Sequence, residues 1–107
     1  MKKLRRKDRV RDSERYSIVT SEMHRCYVCG RLGGMHKHEI FFGSGLRELS
    51  KLYGLVVPLC GTCHETGKDA VHKNRELDLH LKAIGQKAFE KHYPKESFLE
   101  VFGRNYL

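Results

Sequence analysis

No stretch of the sequence approaches the roughly 18 consecutive apolar residues of a membrane-spanning helix. The basic start, MKKLRRKDRVR, lacks the apolar segment that would make it a secretory signal, so a cytoplasmic protein is expected. Apolar material is scarce throughout: hydrophobic residues fill 39% of 107 positions, which excludes a large Rossmann or barrel enzyme. A core of this size commonly needs a metal, a disulfide or a partner to hold it. Acidic residues are also few, 13 against 21 lysines and arginines, and the formal charge of +8 points to an anionic partner. Leu4 and Val10 are too sparse in the basic start to form a membrane-binding face, which leaves nucleic acid as the favoured anion. Basic and aromatic residues do not interleave as they do in a single-strand stacking platform.

The net charge sits mostly at the start. Residues 1–11 carry seven basic side chains against Asp8 alone, a local +6, so residues 12–107 hold only +2. Residues 1–15 are therefore expected to be a flexible basic arm able to lie along a phosphate backbone, and 16–107 a single domain.

Only four cysteines are present, as Cys26-Tyr-Val-Cys29 and Cys60-Gly-Thr-Cys63, with thirty residues between the pairs. Each CxxC places two thiolates on one tight turn, and two such turns can close a tetrahedral zinc site with no cysteine left over. Disulfides or a redox pair are the alternatives, but no secretion signal and no thioredoxin-like strand-helix context accompanies either pair. A structural Zn2+ is the expectation, and its binding energy would help fold the chain.

Between the knuckles, Met35–Gly43 reads as a strand on the strength of Ile40, Phe41 and Phe42. Its period of two puts His36 and His38 on one face and Glu39 on the other. Leu46, Leu49, Leu52 and Tyr53 mark a short helix stopped by Gly54. Leu55–Leu59 is a second strand, and Pro58 favours an edge or an end for it. A helix can begin at Thr62, weakened by Gly67. Leu77, Leu81, Ile84 and Ala88 describe an apolar stripe from about Arg75 to His92, ended by Pro94. A shorter helix is expected from about Lys95 to Phe102, followed by an apolar end, Arg104–Leu107, that should dock on the domain.

Histidines stand out against this scaffold. His24, His80 and His92 read as surface or packed residues, whereas His36, His38, His64 and His72 all flank the two strands and the second knuckle. Neutral imidazoles from these segments could hold a divalent ion that keeps open positions for water and phosphate. Arg47, Lys51 and Lys68 lie on neighbouring segments and could contact phosphates.

Together, Cys26-x-x-Cys29, His36-Lys-His38-Glu39-Ile40 and Leu55-Val-Val-Pro-Leu-Cys60-Gly-Thr-Cys63-His64 resemble the HNH nuclease family, the ββα-metal or His-Me finger endonucleases, and especially small phage-encoded members. The likeness covers about residues 24–72, with a similar helix and ending downstream. It implies an α+β fold whose ββα-metal core is stabilised by a four-cysteine zinc knuckle pair, with additional C-terminal helices. It also implies metal-dependent cleavage of DNA phosphodiester bonds, by nicking or double-strand cutting, in phage DNA processing within a bacterial host cell. A homodimer or a larger DNA-processing assembly would fit that role.

Carried onto the motif, the resemblance makes His38 a ligand of the catalytic ion and His64 the final ligand. His72 is then a third ligand, and Glu39 stands where the family commonly has its general-base histidine. The family's central asparagine falls on Gly54, which has no side chain. Three schemes stay open: Glu39 as base, His38 as base with His36 as ligand, or a weakened catalyst that mainly binds. The ion itself is equally open among Mg2+, Mn2+, Ni2+ and Zn2+. A non-catalytic, zinc-stabilised nucleic-acid-binding module is the alternative to an enzyme.

Overall fold

Two short strands, β1 (His36–Glu39) and β2 (Val56–Leu59), pair antiparallel, with His36 opposite Leu59, Lys37 opposite Pro58, His38 opposite Val57 and Glu39 opposite Val56. All four residues of β2 are buried, as its continuous apolar run requires. Pro58 has no N–H to give, but its carbonyl accepts from the Tyr27 N–H at 2.8 Å, which pins the first knuckle to the hairpin. The computed structural model describes residues 1–107.

Strand β1 is shorter than the nine residues expected for it, and Ser50 is the reason. The Ile40 N–H still reaches the Leu55 carbonyl at 3.0 Å, but the Phe41 N–H turns to Ser50 Oγ at 3.0 Å. The same hydroxyl donates to the Phe41 carbonyl at 2.6 Å, so a buried side chain takes over both backbone groups where the ladder would have continued. Ile40 and Phe41 then point into the core rather than along a sheet.

Helix α1 (Leu46–Tyr53) joins the strands and buries Leu49, Ser50, Lys51 and Tyr53. It ends at Gly54, whose φ of 72° lies in the left-handed region, and a Cβ there would stand 2.5 Å from the Tyr16 ring. After β2 the expected helix from Thr62 is a single wide π-type turn, Thr62–Thr66. Gly67 halts it by donating its N–H to the Thr62 carbonyl at 2.9 Å while the backbone turns extended. A 3-10 turn at Val71–Lys73 follows.

Helix α2 (Arg75–His92) has the bounds that its apolar stripe predicts, with Asn74 capping it by accepting the Leu77 N–H at 3.1 Å. Gly85 lets it approach the segment after β1 closely, since a Cβ would meet Phe41 at 3.0 Å and Ile40 at 3.2 Å. Helix α3 is Phe98–Phe102, begun by a Ser97 cap and so shorter than the sequence suggests. Phe41 packs against Phe98, Phe102 and Tyr106 with ring centroids 4.8–5.4 Å apart, and this cluster holds the C-terminus as expected. The Tyr106 N–H also donates to Gln86 Oε1 at 2.7 Å.

Residues 1–15, expected to be a flexible arm, lie along the domain. The Lys2 N–H donates to the Val101 carbonyl at 2.8 Å, Leu4 packs on the core, and Asp12 accepts from Lys51 Nζ at 2.8 Å. The whole is an α+β domain with one two-stranded sheet, and no helix is long and apolar enough to cross a membrane.

Candidate metal centres and the cavity beside them

The knuckles bring all four cysteine sulfurs within 4.8 Å of one another. Cys29 Sγ and Cys60 Sγ are 3.7 Å apart. That is far beyond the roughly 2.05 Å of a disulfide. It is close to the edge of about 3.8 Å that a tetrahedron with Zn–S bonds near 2.3 Å would have. The first turn is closed by the Gly30 N–H on the Cys26 carbonyl at 2.9 Å, with Gly30 at φ 78°. The second is closed by the His64 N–H on the Cys60 carbonyl at 2.9 Å.

Proton affinities within the set diverge. Burial opposes a charged Cys26, but the N–H groups of Cys29, Cys60 and Val28 outweigh it and bring the thiol down to about 6. Burial, then the neighbouring thiols of Cys60, Cys29 and Cys26, pushes Cys63 well above its ordinary value. The cluster therefore shares protons, with one thiolate formed easily and its charge resisting the next. Such a donor set fits a single soft cation, and these four residues could hold a structural zinc.

Immediately after Cys63, the wide turn presents His64 to a second cluster. His38, on the buried end of β1, His64 and His72, on the 3-10 turn, each bring a ring nitrogen within 4.8 Å of the others. His64 Nε2 and His72 Nε2 are 3.1 Å apart, and the His38 ring centroid lies 5.1 Å from that of His64 and 5.3 Å from that of His72. Burial, reinforced by His64, His72 and Lys82, lowers His38 to about 3, so its imidazole is neutral. His64 is lowered too, first by burial and then by His72, with Glu65 working the other way. His38 is 1% exposed, and its Nε2 has no hydrogen-bond partner. A buried, neutral imidazole with an unpartnered nitrogen, crowded by two further rings, suits a divalent cation better than a packed core.

On its other side, His64 Nδ1 lies 2.8 Å from His36 Nδ1 and 3.6 Å from a Glu65 carboxylate oxygen. Glu39, expected on the opposite face of β1, lines the same cavity of about 690 Å3 as the four histidines. Its Oε1 accepts from Arg15 Nη1 at 2.9 Å and Arg47 Nε at 3.1 Å, whereas Oε2 takes no hydrogen bond from the protein. Arg15 is fixed further by the Lys37 carbonyl at 3.0 Å.

Of the basic residues read as phosphate contacts, Arg47 borders the cavity, while Lys51 is buried against Asp12 and Glu48 and Lys68 does not line it. Those two carboxylates keep Lys51 protonated against the opposing effect of burial. Arg15, Asp12 and Glu65 are among the other lining residues, and nothing in the sequence marks them for the site. Arg15 meets its carboxylate across 24 positions, a pairing that no local pattern announces. His24, His80 and His92 are exposed. Comparison with protein-family models, curated proteins and solved structures finds no match to this chain.

Proposed function

We propose that the chain is a divalent-cation-dependent DNA endonuclease of the HNH type, its ββα-metal centre built from β1, β2 and the turn at Thr62–Thr66. The observation that carries this reading is the convergence of His38, His64 and His72 on an open cavity bordered by Arg15 and Arg47. Phosphodiester hydrolysis needs a base for the attacking water, positive charge beside the phosphate, and a proton for the leaving 3′ oxygen. His38, His64 and His72 would hold the cation, which when bound supplies much of that charge; Mg2+, Mn2+, Ni2+ and Zn2+ are the candidates. Arg15 and Arg47 bind and orient phosphate oxygens through guanidinium donors. Glu39 occupies the base position: Oε1 stays anchored to both guanidiniums, and Oε2 accepts the proton from water.

Plasmid cleavage tests this assignment. Supercoiled DNA incubated with the protein and a series of divalent cations is expected to be nicked or cut, with His38→Ala and His64→Ala reduced at least about 100-fold. Glu39→Gln should lose about 10²–10⁴ in rate, the usual contribution of a positioned base, while still retaining DNA. Equal cleavage by wild type and both histidine variants rejects the centre.

A second reading, a zinc-stabilised nucleic-acid-binding module without catalysis, draws on Gly54. That residue stands in the place of the family's central asparagine, and its φ of 72° and the nearby Tyr16 ring exclude a side chain there. Firm DNA retention with no cleavage under any of the four cations decides for this alternative.

A further inference from the structure

His64 offers its two ring nitrogens to two different sets of partners, and a neutral imidazole has only one proton to place between them. Nε2 faces His72 Nε2 at 3.1 Å, on the side of the three-histidine cluster. Nδ1 faces His36 Nδ1 at 2.8 Å, with the Glu65 carboxylate 3.6 Å away. Two nitrogens 2.8 Å apart need one proton between them, because two lone pairs repel and two N–H groups collide.

We propose that His36 is a positioning residue: it accepts the proton of His64 Nδ1–H and thereby fixes the tautomer whose Nε2 lone pair serves the divalent ion. The inference rests on the His38, His64 and His72 reading above. If Nε2 donates to a cation, the His64 proton must sit on Nδ1. His36 Nδ1 must then be the acceptor, and His36 carries its own proton on Nε2. The two ring planes cross at 81° with centroids 5.0 Å apart, and with the nitrogens 2.8 Å apart this is close to a head-on approach, in which the in-plane N–H of one ring meets the in-plane lone pair of the other. Glu65, too far for a hydrogen bond but close enough to act through space, makes the His64 ring a stronger donor to the cation. His36 is itself exposed, so its free Nε2–H can be satisfied by solvent. This assigns His36 a part distinct from the ligand role open to it in the sequence.

The test titrates Zn2+ into protein that already holds one zinc at the four cysteines, using wild type, His36→Ala, His36→Gln and His64→Ala. Two-bond nitrogen–proton NMR of the histidine rings is recorded in parallel. Removing such an outer partner typically weakens metal binding about 10- to 100-fold, and His36→Ala should do so. His36→Gln, whose amide oxygen can accept the same proton, should recover affinity to within a few-fold. Wild type should give the His64 Nδ1–H pattern before the second ion is added as well as after, and His36→Ala should lose that preference in the protein free of the second ion.

Affinity unchanged in His36→Ala but lost in His64→Ala overturns the positioning role and leaves the three-histidine centre standing. Affinity unchanged in His64→Ala overturns the centre, and the role of His36 with it. Uptake of two ions beyond the cysteine-bound zinc, one of them lost in His36→Ala, makes His36 a ligand of its own cation and also overturns the proposal.

Discussion

At the level of single residues, His38 links burial to chemistry most directly. Burial and two neighbouring imidazoles lower it to about 3, while in the unfolded chain it titrates near its ordinary 6.5. The unfolded state therefore binds more protons between these values, so stability is full above about pH 6.5 and is lost as pH falls toward 3. Urea unfolding of the chain without added second-site cation should show this acid-side loss, and His38→Leu should flatten the curve across that window by about one proton. His36 and His38 were legible as a pair because alternation along a strand is a local property. Glu39 stood out in the sequence through a resemblance, but nothing there marked it as the partner of Arg15 and Arg47. Its carboxylate is drawn to the cavity by two guanidiniums supplied from elsewhere in the chain.

Among the elements, the helices with clean apolar periodicity, α1 and α2, could be read to their bounds. The strand and the turn after β2 could not, because side chain-to-backbone and backbone closures ended them. Ser50 is fully buried and satisfies both backbone groups of Phe41. Ser50→Ala leaves that N–H and carbonyl without partners and should cost on the order of 2 kcal/mol, seen as a lower urea midpoint with an unchanged slope. Gly85→Val should also destabilise, by about 1–3 kcal/mol, since α2 cannot retreat from Phe41 and Ile40 without opening the aromatic cluster. Neither cost is visible in composition, where serine in a helix and glycine in a helix both read as weak points.

Across the whole molecule, charge is distributed differently from what the first eleven residues suggest. The same N-terminal segment that carries the excess of lysine and arginine brings Asp12 onto Lys51 at 2.8 Å and Arg47 at 3.5 Å. On the proposed reading, Asp12 competes with phosphate for Arg47. Asp12→Asn should tighten retention on duplex DNA at moderate salt and steepen the loss of affinity as salt rises, measured by fluorescence anisotropy over a salt series. Chelation of the zinc expected at the cysteines should lower the thermal midpoint sharply, because the knuckle is tied to β2 through Tyr27 and Pro58.

The two clusters are separated by a single peptide bond, Cys63 to His64, and the His64 N–H is itself bonded to the Cys60 carbonyl. This makes assembly a matter of order in time. An unfolded chain holds His38, His64 and His72 as three scattered imidazoles, and only closure of the sulfur set gives His64 a fixed place from which to meet the others. On the proposed reading, the thiols would be filled first and the imidazoles second. On that reading, a chain short of its first ion should fold too poorly to take up the second, even in a medium rich in the other cation.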